Sequence, residues 1–336
     1  MKKLICILLS VLMLVSVAAF VGCDKTPETP ETPDAEPTLK MGLGIFAATA
    51  TVTDATDEKE GQGKIAITAA VITVDAEGKV VACQLDTADY TVKYTADGKA
   101  VANDGFKTKY EMGADYNMVA YGGAAKEWFE QADAFETFVV GKTLTEIKAA
   151  VAEGNKGNAD VVAAGCTIMI SEFVSAIEKA FANLTDSSAT ASSTLKLGIN
   201  TDQSTTDATE EKNGTNQLDT TIFAAAVDAN GKVLTAASDC IQVKFTFDAT
   251  GVATMDTTKA IQSKREQGAN YGMVNYGGAA KEWFEQADAF NALCVGKTAS
   301  EIVALCAADN YGTEEVKTAG CTILVNGLTK AAAKIG

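Results

Sequence analysis

One stretch of fifteen residues occurs twice in this chain without a single difference. It reads YGGAAKEWFEQADAF at residues 121–135 and again at residues 276–290. The offset of 155 residues is kept further along the chain, where Gly141-Lys142-Thr143 recurs as Gly296-Lys297-Thr298. A constant offset without insertions indicates that one structural unit was duplicated. We therefore expect the chain to fold as two related repeats.

The order of apolar patterns within each repeat predicts an α+β fold. We place the first repeat at residues 38–184, the second at residues 194–336, and a small polar linker at residues 185–193. Each repeat begins with alternating apolar residues around a turn of the form Asp-x-x-Gly-Lys, which is typical of antiparallel hairpins. After these hairpins, the apolar residues of each repeat recur with the spacing of a helix face. The sequence predicts two tandem homologous domains, each an antiparallel sheet followed by helices, and we expect each repeat to fold on its own.

The duplicated stretch predicts one amphipathic helix in each repeat. In the first copy its apolar face consists of Trp128, Ala132, Phe135 and Val139. Acidic side chains, expected to form a solvated face, occupy Glu127, Glu130 and Asp133. After this helix, Thr143 and Glu146 have the spacing of a capping box. Ser171 and Asn326 are suitable N-caps for the last helix of each repeat.

Residues 1–23 have the pattern of a targeting segment. Two lysines precede an apolar run that is too short and too early for an ordinary membrane span. The run ends in Phe20-Val21-Gly22-Cys23, which resembles the lipobox of bacterial lipoproteins, where cleavage precedes a cysteine that carries diacylglycerol. This resemblance implies a lipid anchor at Cys23 and a location on the outer face of the cell membrane; a plain secretory signal is the alternative. Residues 24–37 hold all four prolines and predict an extended tether.

The chain is acidic and lacks histidine, and these two properties exclude several classes of function. A net charge of −16 repels the phosphates of nucleic acids, so we expect no nucleic-acid partner. The absence of histidine excludes Ser-His-Asp and Cys-His catalysis, as well as histidine-ligated metal and haem sites. We therefore assign no catalytic residues and no metal ligands from the sequence.

A glycine-cysteine-threonine turn precedes the last helix of each repeat. Its residues are Gly165, Cys166 and Thr167 and, in the second repeat, Gly320, Cys321 and Thr322. Glycine allows the backbone to approach a ligand closely, and a threonine hydroxyl with free amides near a helix start suits a phosphate group. The alternative is an ordinary loop whose threonine bonds its own backbone.

The turn and the hairpin before it resemble the FMN-binding domain of bacterial cell-surface proteins. That family has a Ser-Gly-Ala-Thr turn before its C-terminal helix, and residues 164–167 look like a drifted copy of it. The family also has a strand, an Asp-x-x-Gly-Lys turn and a second strand, similar to residues 74–80 here. It occurs as tandem domains in surface lipoproteins, and FMN can be attached to its threonine. Because Ala164 and Cys166 replace the family's serine and alanine, the resemblance implies non-covalent FMN.

The duplicated stretch supplies a second set of candidate cofactor-binding residues. They combine a glycine loop with aromatic rings that can wall a flavin: Tyr121, Gly122, Gly123, Trp128, Tyr276, Gly277, Gly278 and Trp283. The alternative is that both tryptophans belong to the core. Cores tolerate volume-conserving substitutions, so identity that includes exposed positions indicates a role beyond packing. Recent gene conversion is the competing explanation.

Two functions follow from these features. The resemblance implies a lipid-anchored electron carrier at the cell surface, in which FMN exchanges electrons with a redox partner. The alternative is a cofactor-free surface lipoprotein that recognises a glycan or peptide partner through the duplicated stretch. Both are carriers or binding proteins rather than enzymes in their own right.

Six cysteines follow Cys23, and two of those in the second repeat, Cys294 and Cys306, replace valines of the first repeat. Subtracting the repeat offset places Cys294 and Cys306 at Val139 and Val151. Two apolar positions that change to cysteine in one repeat suggest a disulfide, which an extracytoplasmic compartment allows. The alternative is that each thiol acts as a small buried apolar group.

Overall fold

The computed structural model describes residues 36–103 and 105–336. The targeting segment, Cys23 and nearly all of the tether lie outside the described residues. Within these ranges, no helix combines the length and the apolar character needed to cross a membrane. The predictions of a leader and a lipid anchor therefore stay predictions from the sequence.

The strands form two antiparallel sheets. Those of the first sheet are β1 (Lys40–Ala47), β2 (Thr51–Thr53), β3 (Gly61–Val74), β4 (Val80–Tyr94), β5 (Ala100–Val101) and β6 (Thr185–Asp186). They lie in the order β5-β4-β3-β1-β6, and β2 pairs with β3. The second sheet has the order β7-β8-β9, with β7 (Thr194–Thr206), β8 (Gly214–Val227) and β9 (Val233–Phe247).

The predicted hairpin turns are present and are held by aspartate side chains. Between β3 and β4, the Asp75 carboxylate accepts hydrogen bonds from the backbone N–H groups of Glu77 (3.1 Å) and Lys79 (2.8 Å). Gly78 has a φ of 77°, which glycine adopts without strain. Asp228 holds the turn between β8 and β9 in the same way. These turns fix the register of the two long hairpins.

Both faces of the central strands are buried, which explains their nearly continuous apolar sequence. On β3, Ile65, Ile67, Ala69 and Val71 point towards the second sheet. The alternate residues Ala70, Ile72 and Val74 pack against helices on the other side. The second sheet is covered in the same manner. The architecture therefore has four layers, helices, sheet, sheet and helices, and the α+β class is confirmed.

Ten α-helices flank the sheets in the described part of the chain. They are α1 (Lys109–Met112), α2 (Trp128–Val139), α3 (Leu144–Ala149), α4 (Ala159–Ala164), α5 (Ser171–Ala182), α6 (Lys264–Gln267), α7 (Trp283–Cys294), α8 (Ala299–Val303), α9 (Glu314–Ala319) and α10 (Asn326–Ala333). The apolar face predicted for α2 is buried as expected. The capping box at Thr143 and Glu146 is also confirmed.

The prediction of the N-caps of the last helices is wrong. Ser171 and Asn326 are the first residues of their helices rather than N-caps, and the cap positions hold Ile170 and Val325 without a side-chain bond. The predicted linker at residues 185–193 contains β6, which pairs with β1, and its Ala189 is fully buried.

The two repeats share one hydrophobic core between the sheets. Apolar side chains of both repeats belong to the same buried cluster, including Ile67 and Val71 from the first and Leu218, Ile222 and Val243 from the second. Residues Glu36–Gly336 accordingly form a single compact unit. The boundaries drawn between the repeats stay predictions from the sequence.

Contacts between the repeats come in reciprocal pairs. Ala55 N–H donates to Gly251 O (2.8 Å), and Ala208 N–H donates to Gly98 O (2.7 Å). Two ion pairs are reciprocal in the same sense, because corresponding residues exchange partners: Lys179 with Glu266 (2.5 Å) and Lys334 with Glu111 (2.7 Å). The rings of Tyr94 and Phe247 stack with centroids 4.4 Å apart. The repeats are thus related like the subunits of a two-fold dimer.

Candidate functional site

The loop before α2 is fixed by a buried glutamate of the duplicated stretch. The Glu127 side chain accepts hydrogen bonds from the backbone N–H groups of Met118 (2.9 Å) and Val119 (3.2 Å). Glu282 makes the same two bonds in the second repeat. Glu127 is only 9% exposed. The prediction that it belongs to a solvated face is therefore wrong, because the loop amides take the place of water.

The duplicated stretch also holds the glycine-cysteine-threonine turn. The side-chain oxygen of Gln131, on α2, accepts hydrogen bonds from Thr167 N–H (2.9 Å) and Thr167 O–H (2.8 Å). Gln131 in turn donates to the carbonyl of Lys126 (3.1 Å). Thr322 and Gln286 repeat these contacts at 2.8 and 2.9 Å. One glutamine per repeat therefore ties the turn to the helix.

The turn does not fit the phosphate of FMN in this arrangement. Gly165 ends α4 in a left-handed conformation, with a φ of 107°. Cys166 is buried, and burial raises the pKa of its thiol. The two groups of Thr167 that would donate to a phosphate already donate to Gln131. Flavin could bind at this turn, covalently or not, only if the hydrogen bonds between Thr167 and Gln131 were broken.

The tyrosines of the duplicated stretch are almost completely exposed. Tyr121 is 88% exposed and Tyr276 is 91% exposed. Gly122 lies against the carbonyl of Met118, where a Cβ atom would come within 2.6 Å, and Gly123 has a φ of 65°. Gly277 and Gly278 repeat these two properties. The glycines are therefore needed to build a tight loop that presents the tyrosine ring to solvent.

The tryptophans, in contrast, are buried. Trp128 is 4% exposed and packs edge-on against Phe173, with ring centroids 5.7 Å apart. The ammonium group of Lys109 lies 5.8 Å from the Trp128 ring and 5.0 Å from the Tyr116 ring. Trp283 is 6% exposed. Most of the surface of both tryptophans is therefore part of the core, as the alternative interpretation expects. Trp128 also borders a cavity.

A cavity of about 520 Å³ lies between the outer face of the first sheet and the helices, and Trp128 lines it. Its polar groups are Thr87, Asp89, Lys109, Asn155, Ser171 and Glu172. Aromatic and sulfur-containing side chains form the rest of the wall, chiefly Tyr116, Met118, Trp128, Met169 and Phe173. A cavity of this size with apolar walls and few polar groups has the character of a small-molecule site.

The second repeat has a smaller cavity in the equivalent place. Its volume is about 240 Å³, and Lys264 and Trp283 line it in the positions of Lys109 and Trp128. Lys264 lies over the Trp283 ring at 5.4 Å, which reproduces the geometry of the first repeat. The carboxylates differ, because Glu172 is replaced by Gly327.

The structure brings together only part of the predicted site. Neither the Tyr121 to Gly123 loop nor the turn formed by residues 165–167 is among the residues that line the Trp128 cavity. Sequence reasoning missed Gln131, although it lies inside the duplicated stretch. It also missed Lys109. The available signal was that the second repeat has a lysine, Lys264, at the corresponding position.

Burial strongly perturbs two carboxyl groups near α1 and α2. The pKa of Glu136 is raised to about 8, chiefly by burial; the hydrogen bond from Leu85 N–H opposes the rise, and the nearby Asp133 and Asp86 add to it. Burial likewise raises the pKa of Asp86 to about 6. Asp86 accepts hydrogen bonds from the N–H groups of Thr87 and Tyr110, so it anchors α1. Neither carboxyl group lies in the Trp128 cavity.

All six cysteines in the described part of the chain are free thiols, Cys294 and Cys306 included. Within the same residues, no group of three or more acidic or cysteine side chains is arranged to hold a metal ion.

The chain matches no protein-family model, no curated protein and no solved structure.

Proposed function

We propose that this protein is a cofactor-free, lipid-anchored surface protein that binds a neutral glycan through Tyr121 and Tyr276. The observation that carries the proposal is the exposure of the two tyrosines, 88% and 91%, at corresponding positions of an identical stretch. A large aromatic ring that is almost wholly in water contributes little to the hydrophobic core. Exposed tyrosines are typical of recognition surfaces.

Several other identical positions have structural explanations that do not apply to the tyrosines. Glu127 fixes the loop, Gln131 holds the turn, and Trp128 and Phe135 are buried. Burial does not explain the identity at Tyr121, because its side chain is exposed. A loop on a rigid scaffold is a common place for binding residues, and the same loop occurs twice on this molecule.

The chemistry of the surface favours a neutral polyhydroxylated partner. A net charge of −16 disfavours anionic polymers. A flat phenol ring can stack against the C–H face of a sugar, and its hydroxyl group can donate and accept hydrogen bonds. A peptide partner is the competing outcome of the test.

Binding can be measured with the chain from residue 24 onwards, with Cys23 absent, on arrays of neutral glycans and of peptides. We expect glycan binding that is reduced about tenfold by Tyr121→Ala or by Tyr276→Ala and abolished by the double variant. Val140→Ala and Val295→Ala are matched controls, because these valines are 46% and 51% exposed and lie outside the loops.

Binding to peptides alone would overturn the glycan proposal and keep the tyrosine loops as the site. Binding that survives the double tyrosine variant would overturn the proposal altogether. Flavin binding stays a prediction, and titration with FMN tests it separately. Saturable quenching of FMN fluorescence would support the electron-carrier alternative.

A further inference from the structure

We propose that the Trp128 cavity binds one free amino acid as a zwitterion, with its carboxylate at Lys109 and its ammonium group at Glu172 and Asp89. The proposal is independent of the tyrosine loops, because Tyr121 does not line this cavity. It rests on three observations: the composition of the wall, the weak engagement of its charged groups, and the contrast with the second repeat.

Apart from the contacts of Lys109 with the Tyr116 and Trp128 rings, the charged groups of the cavity make only long polar contacts with the protein. The Lys109 ammonium group lies 3.6 Å from Asp89, although its side chain is only 15% exposed. Glu172 accepts one long hydrogen bond, 3.4 Å from the Thr68 hydroxyl. A half-enclosed charge without a close partner is costly. A ligand that carries both signs of charge would satisfy Lys109 and Glu172 at once.

The apolar wall indicates which amino acids fit. Trp128, Phe173 and Met169 border the same space as the charged groups. An apolar side chain would bury its surface against them, which favours binding in proportion to the apolar area covered. Two carboxylates against one lysine leave the cavity with an excess of negative charge, so an acidic side chain is disfavoured.

In the second repeat, the carboxylates are already satisfied. Asp219 accepts hydrogen bonds from Gln217 (2.8 Å) and Gln242 (2.5 Å). Asp202 pairs with Lys330 at 2.6 Å. Glu172 has no counterpart there, and the volume is about 240 Å³ rather than 520 Å³. We therefore expect one ligand per chain, bound in the first repeat.

The two tryptophans allow a direct test. Trp283→Phe leaves Trp128 as the only tryptophan, so intrinsic fluorescence reports on this cavity. The probes are the individual L-amino acids, together with the N-acetyl and carboxamide derivatives of those that bind. We expect saturable changes with apolar amino acids, a calorimetric stoichiometry of one, and binding at least about tenfold weaker for either derivative.

Matched variants distinguish the two cavities. Glu172→Gln and Lys109→Met should each weaken binding about tenfold or more, whereas Lys264→Met should leave it unchanged. Circular dichroism checks that each variant is folded, and Glu172→Gln decides the test if Lys109→Met does not fold. No saturable change with any amino acid, two equal sites, or unaltered binding in Glu172→Gln would each overturn the proposal.

Discussion

A buried glutamine and a buried glutamate explain two of the identical positions of the duplicated stretch. Gln131 is 1% exposed and Glu127 is 9% exposed. Each satisfies backbone N–H groups that would otherwise lack a partner. Replacing either residue by an apolar one would leave those donors unpaired, which is more costly than losing an ordinary hydrogen bond. Packing alone would have allowed these positions to change.

Removing the hydrogen bonds that Gln131 accepts from Thr167 should destabilise the protein. We expect Gln131→Leu to lower the free energy of unfolding by about 1–3 kcal/mol, because Thr167 loses the acceptor of two hydrogen bonds. Gln286→Leu should cost the same, since its bonds are equivalent. Thermal unfolding measures the effect. Thr137→Ala, on the exposed side of α2, is the control and should change stability by less than about 0.5 kcal/mol.

Stability should fall as the pH rises, because of Glu136. Its ordinary pKa is 4.5 and burial raises it to about 8, so the folded state holds a proton that the unfolded state has released. Between these values the unfolded state binds fewer protons, and unfolding becomes easier with increasing pH. We expect Glu136→Gln to be more stable than the natural chain by on the order of 4 kcal/mol at pH 8.

The second repeat supplies the reciprocal variant. Asn291 occupies the position that corresponds to Glu136 and accepts a hydrogen bond from Ser238 at 2.8 Å. It is 5% exposed. Asn291→Asp should therefore introduce a new loss of stability as the pH rises above about 4. Melting curves from pH 4 to pH 9 measure both variants, and parallel pH profiles for natural chain and variants would contradict this account.

At the scale of elements, the sequence predicted what local patterns determine. The hairpin turns follow from Asp75 and Gly78, and the buried face of α2 follows from its spacing. The start of α5 could not be predicted, because Ser171 is a good N-cap whose place is taken by Ile170, a residue buried in the core. The Trp128 cavity was also out of reach, since Asp89, Lys109 and Glu172 meet only through tertiary packing.

The reciprocal ion pairs should contribute to the docking of the repeats. Lys179 on α5 pairs with Glu266 on α6, and both side chains are about one third exposed. We expect Lys179→Glu to destabilise the protein by about 1 kcal/mol and the double variant with Glu266→Lys to recover most of the loss. The cycle is measured by urea unfolding. The equivalent exchange of Lys334 and Glu111 is the matched comparison.

At the scale of the whole molecule, the shared core changes what is expected of isolated repeats. The sequence alone predicts that each repeat folds independently, whereas the sheets bury their apolar faces against each other. We now expect residues 36–193 and 194–336, expressed separately, to lack cooperative unfolding as monomers, and to recover it when mixed or by pairing with a second copy of themselves. Circular dichroism with light scattering measures both properties, and a cooperative monomer would contradict the expectation.

The location of the molecule is tested at its N-terminus. If Cys23 carries the lipid, Cys23→Ala should release the protein into the medium, because a lipid chain contributes about 0.8 kcal/mol per buried methylene to membrane binding. Fractionation of cells into membrane and medium measures the outcome. A variant that stays in the membrane fraction with normal processing would contradict the lipobox interpretation.

The sheet-to-sheet packing also imposes an order on synthesis. A chain made from its N-terminus completes the first repeat before the second exists, and at about 5–20 residues per second the delay is on the order of ten seconds. During that interval the face formed by Ile65, Ile67 and Val71 has no covering sheet. A newly made first repeat thus exposes the apolar face of its sheet. If the second repeat covers this face first, a monomer results; if a neighbouring chain does so first, an aggregate results.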